Sequence, residues 1–175
     1  MTEPAPAAGK ITVVEYDFRW PQIFAREAER IRTALGDRAL QIEHAGSTAV
    51  PGLAAKPVID IVLVVADSRE ESAYASALEA AGYRLLIREP EWFEHRMFKG
   101  SQPEANLHVC SENCPEVEHM LVFRDWLRAN PADLDLYARA KLTLSEQRWE
   151  RVQDYADAKT AVVSQIMARA LAAKK

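Results

Sequence analysis

The sequence predicts an α+β fold: a mixed β-sheet flanked by helices up to about residue 112, followed by a three-helix C-terminal segment over 113–175. Three observations carry that reading. Val58 to Val65 is apolar at every position except Asp60, the pattern of a central strand covered on both faces. Segments of strand and helix character alternate on either side of it. After Pro115 the strand-like segments stop, and stretches with apolar residues at three- and four-residue steps take over. With 175 residues, 49% of them hydrophobic, the chain can bury one substantial core, so 11–175 reads as a single domain.

Taken in order, Thr2 to Lys10 has Pro4, Pro6 and several Ala and reads as a disordered lead-in. Ile11 to Val14 reads as a short strand or an extended docking segment. Pro21 suits the first turn of a helix along which Phe24, Ala28, Ile31 and Leu35 recur at helical spacing until Gly36. Leu40 and Ile42 alternate with Gln41 and Glu43 in a strand that runs to Ala45. Pro51 and Gly52 rule out a long helix after Gly46-Ser47, so one or two turns fit there. Glu70 to Ala81 has a helical stripe of Tyr74, Ala77, Leu78 and Ala81. Tyr83–Ile87, Arg96–Lys99 and Leu107–Cys110 read as three further strands. Helices are expected over Val117–Ala129, Ala132 to about Arg148, and Val152–Ala172, with Asn130-Pro131 at the first break.

Composition narrows the function. A net charge of -4 argues against a protein that coats nucleic acid. Met1 to Lys10 lacks the basic start and apolar core of a signal peptide, and the longest apolar run is far below the ~20 residues of a membrane span. A soluble, cytoplasmic protein is the expectation. Cys110 and Cys114 are four apart, with no second Cys/His pair nearby. Reduced thiols fit that spacing better than zinc.

The densest chemistry lies in Glu43 to Ile61. Gly46-Ser47 at a strand-to-helix junction is compatible with phosphate, since Gly admits an anion to the backbone and Ser adds a donor; the dipeptide alone is a weak signal, because such pairs are common in ordinary turns. Lys56 can add a full charge. Asp60, inside an apolar strand, has to be paired, bound to metal, or placed where the strand opens on a cleft. His44 and His108 sit in strand-like segments; each alone reads as a core histidine, and with Asp60 they suggest a His/carboxylate site for a divalent cation. In the C-terminal third, Arg124, Lys141 and Lys159 fall on apolar helix stripes. Either they snorkel or pair with acids such as Glu27, Glu43 or Asp60, or they build a basic pocket opposite Gly46-Ser47, which Arg96 and Lys99 could extend. Asp133, Asp135 and the charges from Glu146 to Arg151 read as solvated helix faces. Trp92-Phe93 reads as a loop anchor or a lid.

His44-Ala-Gly-Ser-Thr-Ala-Val-Pro-Gly-Leu-Ala-Ala-Lys-Pro-Val-Ile-Asp-Ile61 resembles the central motif of the GrpB family. The resemblance extends to Trp20-Pro21-x-x-Phe24-x-x-Glu27, Leu107-His108-Val109, Phe123 to Arg128, Tyr137-x3-Lys141 and Tyr155-x3-Lys159. It implies a nucleotidyltransferase-like fold and a family found both alone and fused to dephospho-CoA kinase. It further implies Gly46 and Ser47 as the phosphate loop, and Asp60 as a metal-binding carboxylate. Asp60 and His108 would be the catalytic pair, and His44 would join them in holding Mg²⁺, Mn²⁺ or Zn²⁺. Lys56, Arg96, Arg124, Tyr137, Lys141 and Lys159 would hold a nucleotide or phosphorylated small molecule. The Asp-x-Asp of the wider superfamily is missing, because Val58 and Val62 flank Asp60 at two residues. The rival reading is a non-catalytic small-anion-binding or accessory module. No nucleic acid or membrane partner is expected, and the oligomeric state is open.

Overall fold

Five strands pair into one mixed sheet: β1 (Gln41–Ala45), β2 (Ile59–Val65), β3 (Arg84–Glu89), β4 (His95–Ser101) and β5 (Glu104–Ser111). Their order across the sheet is β1-β2-β5-β4-β3. β2 and β5 run parallel and the other three pairings are antiparallel. The computed structural model describes residues 11–174, so the expected lead-in over 1–10 lies outside the described residues.

The helices are α1 (Trp20–Leu35), α2 (Ala75–Ala80), α3 (Pro115–Ala129), α4 (Pro131–Ser145), α5 (Val152–Ala158) and α6 (Thr160–Ala173). One face of the sheet, with Ile59, Ile61, Leu63, Leu107, Val109 and Phe98, packs against Ile31 and Leu35 of α1 and Leu78 of α2. The other face buries Val62, Val64 and Cys110 against Val117 of α3. Farther along, Val50 and Leu53 pack with Leu127, Tyr137 and Ile166 from α3, α4 and α6. β2 is therefore covered on both sides, as its apolar run predicts. Among the described residues no helix is long and apolar enough to cross a membrane.

Of the two readings of Ile11–Val14 the extended docking segment holds, with a single antiparallel bridge tying Val14 to Ala55. Three local expectations are corrected. The helix expected over 70–81 is split at Tyr74: a 3-10 turn, Glu71–Ala73, precedes α2. The buried Tyr74 hydroxyl donates to the Ser68 carbonyl at 2.6 Å, anchoring the break. The expected helix over 152–172 is two helices meeting at Lys159, with no Gly or Pro at the break. Asp133 is not on a solvated face. It is buried, accepts from Trp126 Nε1 at 2.7 Å and from Arg169 at 2.6 and 2.9 Å, and so ties α3, α4 and α6 together.

Candidate functional site: a lysine-lined cleft over Asp60

Side chains alternate across the sheet, so register decides which residues can meet. Asp60 is paired with Ala45 on β1 and Asn106 on β5, and Asn106 is paired with Lys99 on β4. Asp60, Asn106, Lys99 and His108 therefore share the face turned toward the C-terminal helices. Asn106 Nδ2 donates to Asp60 Oδ1 at 3.2 Å, and Lys99 Nζ donates to Asn106 Oδ1 at 3.0 Å. His108 Nε2 lies 3.5 Å from Asp60 Oδ1, and its Nδ1 is 3.0 Å from His95 Nε2. Burial acts to raise the Asp60 carboxyl, but His108, Asn106 and Lys56 outweigh it and hold the group below the usual carboxylate range.

The 3-10 turn Ser47–Ala49 follows β1. Gly46, which opens it, has φ 71°, and a Cβ there would lie 2.5 Å from Asp60 Oδ2. Glycine is required at this position, and the anion it admits to the backbone is the carboxylate of Asp60 itself. A single three-residue turn has no aligned run of peptides to make a macrodipole, so the loop is a weaker phosphate device than its sequence suggests.

Three lysines from separate elements gather around Asp60: Lys56 before β2, Lys141 on α4 and Lys159 between α5 and α6. The buried ring of Tyr155 organises two of them, with Lys159 Nζ 4.7 Å and Lys56 Nζ 5.7 Å from its centroid. Lys141 Nζ lies 5.0 Å from the Tyr137 centroid and donates to the Ala54 carbonyl. Burial pushes Lys141 down to about 7, helped by the charges of Lys159 and Lys56 and opposed by Asp60. Lys159 falls to about 8, first through burial and then through Lys56. Lys56 is lowered too, mainly by burial, and Asp60 opposes the shift. Burial raises the Tyr137 phenol to about 12, against a hydrogen bond with Ser47. These groups form one electrostatically coupled cluster.

Three predicted residues lie elsewhere. Arg96 is three residues from Lys99, an odd number, and therefore points to the opposite face; it bonds Glu71 at 2.9 Å and Glu94 at 3.2 Å. His44 pairs with Ile61 in register, so it too leaves the Asp60 face. Its ring stacks on Phe24 at 4.7 Å, and Nε2 meets Thr48 Oγ1 at 2.9 Å. Arg124 binds Glu43 at 2.8 Å, Asp125 at 2.9 Å and the His44 carbonyl at 3.0 Å, fastening α3 to β1. Sequence reasoning missed His95, Asn106 and the platform role of Tyr155. The even spacing of Asn106 and His108 was the signal available for Asn106. Nothing local marked His95.

The metal expectation can be tested on donors. With His44 turned away, Asp60 and His108 remain, and among the described residues no group of three or more His, Cys, Asp or Glu side chains is placed to hold a metal ion. Asn106 offers Asp60 a donor and has its oxygen engaged by Lys99. The residues present do not fit a metal-bridged phosphate site. Cys110 and Cys114 are free thiols, and burial pushes Cys110 up to about 12.

A groove of about 1020 Å³ lies between β1, the β5–α3 connection, α3 and α6. Its charged lining is Glu112, Glu118, Asp125 and Lys174, the wrong balance for an anion. Chemistry points instead to the lysines gathered beside Asp60.

Fold and site thus define a class: an α+β domain whose mixed sheet sets Asp60 beside lysines from the segment before β2, from α4 and from the α5–α6 junction. Residues 10–169 match the family described as GrpB protein, and the chain belongs to the GrpB family. It is 58% identical over 168 residues to a UPF0157 protein of Halalkalibacterium halodurans, covering 96% of this chain and 86% of that one. A UPF0157 protein of Streptomyces coelicolor is 44% identical, with coverage of 97% and 89%. The crystal structure of conserved protein GrpB from Enterococcus faecalis superimposes with a TM-score of 0.82 at 30% identity, over 93% of this chain and 99% of that one. A dephospho-CoA kinase of Mycolicibacterium paratuberculosis is 29% identical over 86% of this chain, which spans 48% of that protein.

Proposed function

We propose that the domain binds a nucleotide or phosphorylated small molecule in the cleft between the sheet and helices α4 to α6, and that its fold and chemistry are those of a nucleotidyltransferase-like protein. The observation that supports this reading is the convergence of Lys56, Lys141 and Lys159, from three elements, on one carboxylate. Partly buried ammonium groups that depress one another are stabilised when an anion arrives. In a transfer reaction the Asp60–His108 pair would act together as general base toward an acceptor hydroxyl, and the lysines would neutralise the departing phosphate.

A single carboxylate, held well ionised, also favours a second reading, an accessory module that binds without turnover. The dephospho-CoA kinase relative makes CoA a sensible ligand to test. Thermal shift and calorimetry with ATP, CTP and CoA decide the binding half: a rise in Tm is expected for wild type and its loss for Lys141→Ala. If no ligand binds, or Lys141→Ala binds equally well, the cleft is not the site. Product formation by wild type and not by Asp60→Asn selects the enzyme; binding with no product selects the module.

A further inference from the structure

We infer that this cleft takes its ligand as a metal-free phosphate chain, with the ammonium groups of Lys56, Lys141 and Lys159 occupying the role that a divalent cation has in phosphoryl-transfer sites. The inference rests on the reading above that the cleft binds a phosphorylated ligand, and it specifies the form in which that ligand is bound.

The Asp60 carboxylate is already partly engaged. Oδ1 accepts from Asn106 and faces His108, while Oδ2 is packed against Gly46 so closely that no Cβ fits between them. The position directly across from Asp60, where a second acid would complete a cation site, is Asn106. Its amide oxygen is held by Lys99, so its NH₂ is what Asp60 meets. On the same face of β2 the next residue is Val62, and His108 Nδ1 is taken by His95. A cation placed beside Asp60 would therefore find an engaged carboxylate and, among the described residues, no group of three or more His, Cys, Asp or Glu side chains placed to hold it.

The surrounding charge has the opposite sign from that of a metal site. Asp60 acts on each of the three lysines, and Lys56 and Lys159 share the ring of Tyr155. With Lys99 one residue farther out, a divalent ion entering beside Asp60 would meet four lysines, against Asp60 and the Glu104 carboxylate that acts on Lys56. A bare phosphate chain meets the reverse balance. Burial keeps Lys141 near 7 and Lys159 near 8, and bound phosphate would restore their charge.

Titration calorimetry of the full chain with ATP and with inorganic pyrophosphate, once in EDTA and once in saturating MgCl₂, tests this. Binding is expected in EDTA and is expected to weaken severalfold in Mg²⁺, because complexation removes charge from the phosphates. Lys56→Gln, Lys141→Gln and Lys159→Gln should each weaken binding in EDTA by tenfold or more, with circular dichroism unchanged, and Arg139→Gln on the outer surface of α4 should not. Half-exposed Lys56 serves as the readout if the more deeply buried positions fail to fold. Binding that requires Mg²⁺, or tightens tenfold with it and is lost in Asp60→Asn, overturns the inference and leaves the phosphate reading standing. No binding of either probe in either buffer overturns both.

Discussion

Lys141 is the residue on which the chemistry of the cleft turns. Its ammonium sits in a protein interior beside two other cations, and burial with their repulsion brings it down to about 7. An arriving anion stabilises the charged form of Lys141 and of Lys159. Ligand binding should therefore take up protons between about pH 7 and 9, and affinity should fall as pH rises through that window, by at most about tenfold per unit for each proton linked. Calorimetry in buffers of different ionisation heat reads the uptake directly. Wild type is expected to take up protons and Lys141→Gln markedly fewer; affinity constant from pH 6.5 to 9.5 would contradict the assignment. That Lys141 and Lys159 face inward was legible from helical spacing. Lys56 was placed with them by the family motif, whereas its approach to the Tyr155 ring lies in an irregular segment whose path only packing decides.

Among the elements, the C-terminal helices hold the lysines in place and Asp133 holds those helices together. Its carboxylate lies below the usual range, through its hydrogen bonds from Arg169 and Trp126 against the cost of burial. Removing it leaves the Trp126 Nε1–H without its acceptor. Asp133→Ala is expected to cost about 1–3 kcal/mol, read as a lower urea midpoint with the slope unchanged. It should also weaken ligand binding, since α4 carries Lys141. A midpoint within error of wild type would mean that the triple contact is incidental. The sequence pattern placed Asp133 in the first turn of a helix, where an exposed acid is ordinary; its burial depends on α6 crossing behind it. The split at Lys159 was illegible for a similar reason, as no Gly or Pro marks it.

For the molecule as a whole, two buried histidines set the response to acid. His44 is pushed down to about 4, chiefly by burial with Arg128 and Arg124 and against Asp60. His95 also falls to about 4, through burial, His108 and Arg96. Each folded-state value lies below the unfolded one, so the unfolded chain binds a proton first as pH falls. The stability they contribute is complete above pH 6.5 and is lost toward pH 4, by up to about 3 kcal/mol for each. Tm should drop steadily between pH 7 and 4.5, and His95→Gln should flatten part of that slope. A flat wild-type profile would show that neither histidine is held neutral.

Periodicity and punctuation alone determined the class of fold, the central covered strand, the helical last third and the family motif, because these depend on neighbours in the chain. Asp60 as the one carboxylate of the cleft was also readable, since an acid in an apolar strand has to be accounted for wherever that strand lies. Which residues join it was decided only by tertiary structure. Register places His44 and Arg96 on the opposite face from Asp60, and it brings Asn106 and Lys99 to the same one. Arg124 is drawn to Glu43 by the docking of α3 on β1. Alternation along a strand is local, but the face that a residue shares with another strand is fixed by long-range pairing, and no short window of sequence contains that pairing.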